Sequence, residues 1–244
     1  MTTTVAIIGA TGRMGRLVGE VVDELDGFEV VARIGSADAL EGMLTADVVV
    51  DVTVPAVSQS VVDFAVDNGR PVLVGTSGWS NQRITALRRR VSAQPGLGVI
   101  VIPNFSLGSV LATAFAATAA RFFDSIEIIE AHHASKVDSP SGTAVRTAEL
   151  IGAARANLGP VIAPHADQRA RGQQVSSVPI HSLRMQGVVA KQDVIFGGTG
   201  ETLTLSHETL SPTSYVAGIR LSLQALRETD GVVVGLDQLI DLGA

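Results

Sequence analysis

The chain contains no cysteine in its 244 residues. Disulfides, thiolate zinc sites and cysteine nucleophiles are therefore excluded. Aromatic residues make up only 4%, with one Trp and one Tyr, too few for a surface that stacks single-stranded bases. Positive charge is scarce as well. The 18 Lys and Arg stand against 24 Asp and Glu, a net charge of −6, so no general basic field draws DNA or anionic lipid. Long apolar runs are missing: Val110 to Phe123 is broken by Thr113 and Thr118 and is too short to cross a bilayer. The start, Met1-Thr-Thr-Thr, lacks the basic region of a signal peptide. These absences lead to the expectation of a soluble, cytoplasmic protein whose partners include neither nucleic acid nor membrane.

What is present points to layered α/β architecture. Hydrophobic residues reach 46% and the mean hydropathy is +0.34, enough for one large or two small cores. Short apolar runs at Val5 to Ile8, Phe28 to Ile34, Val48 to Val52, Pro71 to Val74 and Gly98 to Ile102 alternate with helical patterns at Gly12 to Leu25, Val57 to Asp67 and Asn81 to Ala93. That alternation predicts a doubly wound parallel sheet of Rossmann type. After Asn104 the rhythm changes. Helical patterns cover Leu107 to Arg121 and Ala144 to Leu158, Gly159 to Ser177 reads as a long loop, and three strand-like runs follow from Val178 to His207. A last helix is expected from Pro212 to Arg227. The reading is a dinucleotide-binding domain at 1–106 completed by 211–244, and a smaller α+β domain at 107–210 for substrate binding and oligomerisation.

Gly9-Ala-Thr-Gly12-Arg-Met-Gly15 falls at the first strand–helix junction. Glycines at that spacing permit a tight turn, close approach of a pyrophosphate and close helix–sheet packing, while the helix N-terminus meets the phosphate charge. The acid that usually holds the adenine ribose belongs about twenty residues further on. There the chain reads Arg33-Ile-Gly-Ser36, with no carboxylate before Asp38. A 2′-phosphate is then not repelled, and Arg33 or Arg13 is available to pair with it, so NADPH is expected to serve at least as well as NADH. Asp51-Val-Thr-Val-Pro55, Gly75-Thr-Ser-Gly78 and Pro103-Asn-Phe-Ser106 end later strands, where open α/β sheets bind ligands.

The richest segment is Glu130-Ala-His-His-Ala-Ser-Lys-Val-Asp-Ser-Pro-Ser-Gly-Thr-Ala144. An apolar strand, Ile126 to Ile129, delivers His132 and His133 to a loop, and a helix starts near Ser141. Imidazoles, an ammonium and free helix-start N–H groups suit an anionic, protonatable small molecule. A His-His metal site is the alternative reading, against which zinc normally needs three protein ligands. Glu130 and Asp138 are read as orienting groups. Arg184 and Arg220 are further cations that the sequence does not rank.

With these motifs the chain resembles the 4-hydroxy-tetrahydrodipicolinate reductase (dihydrodipicolinate reductase) family over essentially its whole length. The resemblance implies reduction of a cyclic imine-type dicarboxylate with NADPH or NADH, in diaminopimelate and lysine biosynthesis, by a homotetramer. By position it implies that His132 and Lys136 are catalytic and that His133, Ser141, Gly142, Thr143 and Ser77 bind substrate. It assigns cofactor contacts to Gly9, Ala10, Thr11, Gly12, Arg13 and Met14, to Gly75, Thr76 and Ser77, and to Ile102, Pro103, Asn104 and Phe105. Arg33 is added to these from its place at the second strand's end. No metal is implied. The chain departs from the family at Ser77, where a second threonine is frequent, at Ser139 and Val52, and at the end of the second strand, where Gly35 or its neighbours replace the usual acid. Of these changes only the last bears on function, through cofactor preference. Other dehydrogenases of similar layout and a non-catalytic NAD(P) sensor are the competing readings, and neither needs both His132 and Lys136.

Overall fold

The computed structural model describes residues 1–241, so Leu242 to Ala244 of the expected C-terminal segment lie outside the described residues. The chain divides into two compact units, Met1–Leu107 with Pro212–Ala244, and Gly108–Ser211.

The first unit holds β1 (Thr3–Ile8), β2 (Phe28–Ile34), β3 (Val48–Asp51), β4 (Val72–Val74), β5 (Gly98–Val101) and β11 (Gly231–Val234) in one sheet. Their spatial order is β11-β5-β4-β3-β1-β2, and every neighbouring pair is parallel. A parallel sheet must be covered on both faces, because its crossover helices lie there. Accordingly β3, β4 and β5 are buried at every position. Ala6, Ile8, Val49, Val72, Val74 and Val99 pack with Val61, Val62 and Ala65 of α2 (Pro55–Asp67) and Ile84 and Leu87 of α3 (Asn81–Val91). Helices α1 (Arg13–Asp23) and α6 (Val216–Leu226) contact each other and the same sheet. This is a Rossmann-type doubly wound fold, as the alternation predicts. β11 is a strand the sequence reading does not contain. Its four residues extend the sheet by pairing with β5 from Gly231↔Gly98 to Val234↔Val101.

The second unit holds α4 (Leu107–Ala119), β6 (Ser125–His133), α5 (Gly142–Ala154), β7 (Gln173–Val175), β8 (Val178–Met185), β9 (Ala190–Gly198) and β10 (Glu201–Thr209). The sheet order is β10-β9-β6-β8-β7. β6 and β8 run parallel while the other neighbours are antiparallel, so the sheet is mixed. Strand alternation places Ile126 and Ile128 of β6 with Ile180, Val194 and Phe196 against Ala116, Ala144, Ala148 and Ile151 of the helices. The segment at 159–177 is less irregular than its composition predicts, since β7 forms inside it and pairs with β8.

Two glycines of the first turn are required by geometry. Gly9 has φ +87°, and a Cβ there would lie 2.6 Å from the Val52 carbonyl oxygen. A Cβ on Gly15 would run into the Gly9 carbonyl and stand 2.6 Å from Ala10 Cα. Gly15→Ala is therefore expected to destabilise the fold by about 1–3 kcal/mol through overpacking, while Gly12→Ala, whose Cβ would stand 3.3 Å from the Gly9 carbonyl oxygen, is expected to cost less. Calorimetric melting of the two variants measures this, and an unshifted Gly15→Ala midpoint would refute the packing argument.

Candidate active site

Glu130 organises the second unit's polar cluster. Its side chain is fully buried on the helix-covered face of β6, and the register with β8 sets Ser182 opposite it and Arg184 opposite His132. The Arg184 guanidinium donates to both carboxylate oxygens, at 2.9 and 2.8 Å. His132 Nδ1 lies 2.6 Å from Glu130 Oε2, and the Ser141 N–H donates to Oε1 at 3.2 Å. Arg184 also donates to the Asp138 carbonyl at 2.7 Å, which ties the loop after β6 to the same clamp. Within that loop Lys136 Nζ donates to Asp138 Oδ1 at 2.7 Å, and His133 Nδ1 is 2.8 Å from Ser135 Oγ.

This geometry refines the sequence reading. Both histidines still belong to β6, so alternation sends adjacent side chains to opposite faces and only His132 joins Glu130. Ser141 caps α5, accepting from Ala144 N–H at 3.2 Å, while its own N–H is committed to Glu130. Gly142 and Thr143 follow it in the helix's first turn, and Gly142 has open space where a Cβ would stand. Arg184 and Arg220, unranked by sequence, are now separated: Arg220 pairs with Glu24 at 2.9 Å in the first unit. Sequence reasoning also missed a buried polar line in which Gln192 donates to Thr147 Oγ1 at 3.0 Å and Thr147 donates to the Thr143 carbonyl at 2.9 Å. It braces the start of α5 against β9.

Charges in the cluster shift each other. Burial pushes the Glu130 carboxyl upward, but hydrogen bonds from Arg184, Ser182 and His132 outweigh it and hold the group below its ordinary range. Burial lowers the His132 imidazole below its usual value, with smaller contributions from Lys136 and Arg184, against the raising effect of Glu130. Asp138 is lowered chiefly by its bond from Lys136. No group of three or more His, Asp or Glu among the described residues is arranged to hold a metal ion.

The first unit brings its predicted stretches to the carboxyl end of the sheet. Gly9 to Gly12 link β1 to α1, Gly75 to Ser77 follow β4, and Ile102 to Phe105 follow β5. Gly12 is the N-cap of α1 and no side chain caps the helix, which leaves first-turn N–H groups for an anion. Arg16 steadies the turn by donating to the Thr11 carbonyl at 3.0 Å. Ile102 and Phe105 are buried, so any ligand contact from Ile102 is through its backbone; Phe105 fills the space beside Gly75, where a Cβ would approach it to 2.6 Å. A cavity of about 300 Å³ is lined by Thr76, Ser77, Trp79, Val101, Pro103 and Val234. Beside it the buried Asp51 accepts from Thr53 N–H and Oγ1 at 3.1 and 2.6 Å and from Ser58 Oγ. Ser58 in turn accepts from Trp79 Nε1 at 2.9 Å. The uncapped glycine turn fits the phosphates of a dinucleotide.

The end of β2 differs from the sequence expectation. Arg33 lies along α1 over Gly19 and pairs with Asp23 at 3.2 Å, because β2 and α1 are neighbours and Gly19 leaves room for the guanidinium. The strand end does have a carboxylate, since Asp38 folds back to accept from Gly35 N–H at 2.7 Å.

The clamp generates a pH prediction. The Glu130 contribution is full above the unfolded value of 4.5 and is lost as pH falls through its lower folded value. His132 also holds its proton more weakly folded than unfolded, so stability declines as pH falls through 6.5. The melting midpoint is expected to drop gently through that first window and steeply below the second. Arg184→Met, which strands a buried carboxylate, should cost on the order of 3 kcal/mol at neutral pH and flatten the lower limb. A lower limb unchanged by that substitution would refute the assignment.

Comparison with known proteins matches the chain in two parts. The family described as dihydrodipicolinate reductase, N-terminus, matches residues 3–105, and the one described as dihydrodipicolinate reductase, C-terminus, matches residues 108–240. A 4-hydroxy-tetrahydrodipicolinate reductase of Clavibacter michiganensis subsp. michiganensis is 66% identical over 242 residues, 99% of this chain and 87% of that protein. One from Streptomyces griseus subsp. griseus is 43% identical, covering 98% of each. Among solved structures, dipicolinate-bound dihydrodipicolinate reductase from Paenisporosarcina sp. TG-14 superposes with a TM-score of 0.82 at 30% identity, covering 98% of this chain and all of that one. Matched along both units and at this identity, the chain belongs to the dihydrodipicolinate reductase family.

Proposed function

We propose that the chain reduces 4-hydroxy-2,3,4,5-tetrahydrodipicolinate to tetrahydrodipicolinate with NAD(P)H, as a step of diaminopimelate and lysine biosynthesis in the cytoplasm. The observation that carries the reading is the buried Glu130 carboxylate bonded to His132 and Arg184, beside Lys136 and the start of α5. The overall balance is one hydride and one proton added and one water lost.

Each demand of that reaction has a group to meet it. Two substrate carboxylates need positive charge and donors, which Lys136, the Gly142 N–H and Thr143 supply; His133 and Ser141 complete the substrate assignment. Bound NAD(P)H supplies the hydride, held at Gly9 to Met14 and along Gly75 to Ser77 and Ile102 to Phe105. Glu130 accepts from His132 Nδ1–H, which fixes the ring and leaves Nε2 to carry the proton. An ordinary lysine is too weak an acid at neutral pH for this step, so Lys136 serves as charge stabiliser.

The depressed His132 value has a mechanistic consequence. Burial together with Lys136 and Arg184 weakens the imidazole's hold on its proton in the free protein. A dianionic substrate offsets those cations, raises the imidazole's proton affinity and loads the acid as it binds. The oligomeric part of the reading is a homotetramer through the open face of the second sheet, where Leu183 and Met185 are exposed and a hollow of about 360 Å³ is lined by Glu127, Ile129, His181 and Ile195.

The central test generates substrate from pyruvate and aspartate semialdehyde and follows loss of NAD(P)H absorbance; no turnover with either nucleotide removes the proposal. His132→Gln is expected to lower kcat about 100-fold or more with little change in KM, and a normal kcat would remove the acid role. The alkaline limb of kcat is expected at higher pH than that of kcat/KM, since the first reports the complex and the second the free enzyme. Glu130→Gln, which withdraws the charge that raises His132, should move the kcat/KM limb to lower pH. Light scattering should return four copies of the 25.3 kDa chain, and a monomer at assay concentration would remove the tetramer.

A further inference from the structure

We infer that Asp38 takes the place of the missing strand-end acid and biases the nucleotide site toward a dinucleotide whose ribose 2′-hydroxyl is free, NADH over NADPH. The inference rests on the NAD(P)H reading above and adds a specificity-determining residue to it.

The geometry begins with the lock between the glycine turn and β2. Ile34, the last residue of β2, has a carbonyl that accepts from both Gly9 and Ala10 N–H groups, at 2.8 and 3.2 Å. The residue directly beyond that lock is Gly35, which offers no side chain. A Cβ at this position would lie 3.4 Å from Asp38 Oδ2 and 3.5 Å from Thr11 Cγ2. The Asp38 carboxylate thus occupies the space that a side chain on residue 35 would enter, alongside Thr11 of the turn. Two bonds hold it there: Gly35 N–H donates to Asp38 Oδ2 at 2.7 Å, and Asp38 N–H returns to the Gly35 carbonyl at 3.4 Å. The acid is displaced three residues along the chain and brought back by a turn.

The chemistry follows from what a carboxylate can accept. It has about four acceptor positions, and the Gly35 N–H uses one, so ribose hydroxyls can donate to the rest. A 2′-phosphate instead sets negative charge against negative charge. The cation closest in sequence that would offset this, Arg33, is paired with Asp23 at 3.2 Å and lies on the Gly19 side of α1. Arg13 stands in the first turn of α1, at the helix start that suits the phosphates common to both nucleotides.

The test is a calorimetric titration of NADH and NADPH, without substrate, into the full-length wild type and into Asp38→Asn, Asp38→Ala and Arg33→Ala. Wild type is expected to bind NADH about tenfold more tightly than NADPH, the scale of one charge-assisted hydrogen bond. Asp38→Ala should weaken NADH about tenfold and leave NADPH unchanged or tighter. Asp38→Asn, which keeps an acceptor for the Gly35 N–H, should relieve the repulsion of NADPH while retaining part of the NADH affinity. Arg33→Ala should leave the ratio within about twofold. Asp38 is exposed, so matched melting curves confirm that the variants fold. Equal wild-type affinities, or a ratio unmoved in both Asp38 variants, would overturn the inference and leave NAD(P)H binding intact. Binding of neither nucleotide would remove the cofactor reading, and this inference with it.

Discussion

Everything at the second unit's polar cluster depends on keeping one buried carboxylate charged. Glu130 has no exposed side-chain surface, and an isolated carboxylate in that position would take up a proton or unfold the site. Arg184 prevents this with two parallel hydrogen bonds, the geometry in which a guanidinium matches a carboxylate best. The charge then serves three separate elements at once. It orients the imidazole of His132, it anchors the N-cap of α5 through the Ser141 N–H, and through Arg184 it fixes the loop at the Asp138 carbonyl. Removal of either member of the pair would therefore release strand, loop and helix together.

Strand geometry makes this possible at little local cost. Residues two apart on β6 share a face, so Glu130 and His132 lie side by side without any special turn. The parallel register with β8 sets Ser182 and Arg184 beside them. A shift of one residue in that register would turn Arg184 to the opposite face and leave Glu130 without its cation. The buried apolar residues of the same strands, Ile126, Ile128, Val178 and Ile180, hold the register against such a slip. Core packing and site chemistry are thus enforced by one alternation.

Much of this was legible in the sequence, and the exceptions have physical causes. The alternating runs of the first unit and the glycine turn are local signals, and the sheet and its first β–α junction follow from them. Glu130, His132 and Lys136 stand in one short segment and could be read together. Arg184 could not be ranked, because its tie to Glu130 spans 54 residues and exists only through strand pairing. Ser141 was readable as a helix start, but not the commitment of its N–H to Glu130. β11 is four residues long and follows a helix, too short to carry a periodicity of its own. Asp38 was discounted by its distance from the strand end, yet a turn cancels that distance, and a linear window does not see turns.

The two units use different parts of the chain to handle charge. In the first, the groups at the carboxyl end of the sheet are mostly backbone: an uncapped helix start, a glycine turn with φ +87° at Gly9, and the strand ends behind Gly75 and Pro103. Some side chains there act by being absent or by bracing, as Asp51 does for Thr53 and Ser58. A side chain added at Gly9 or Gly15 would meet backbone there. In the second unit the groups are side chains whose ionisation matters, and each is tuned by its neighbours. There a change of charge at constant volume, as from Glu130 to glutamine, withdraws the charge to which His132 and Arg184 are bonded. The first unit offers main-chain donors at an uncapped helix start, and the second holds its ionised side chains in place by the balance of their charges.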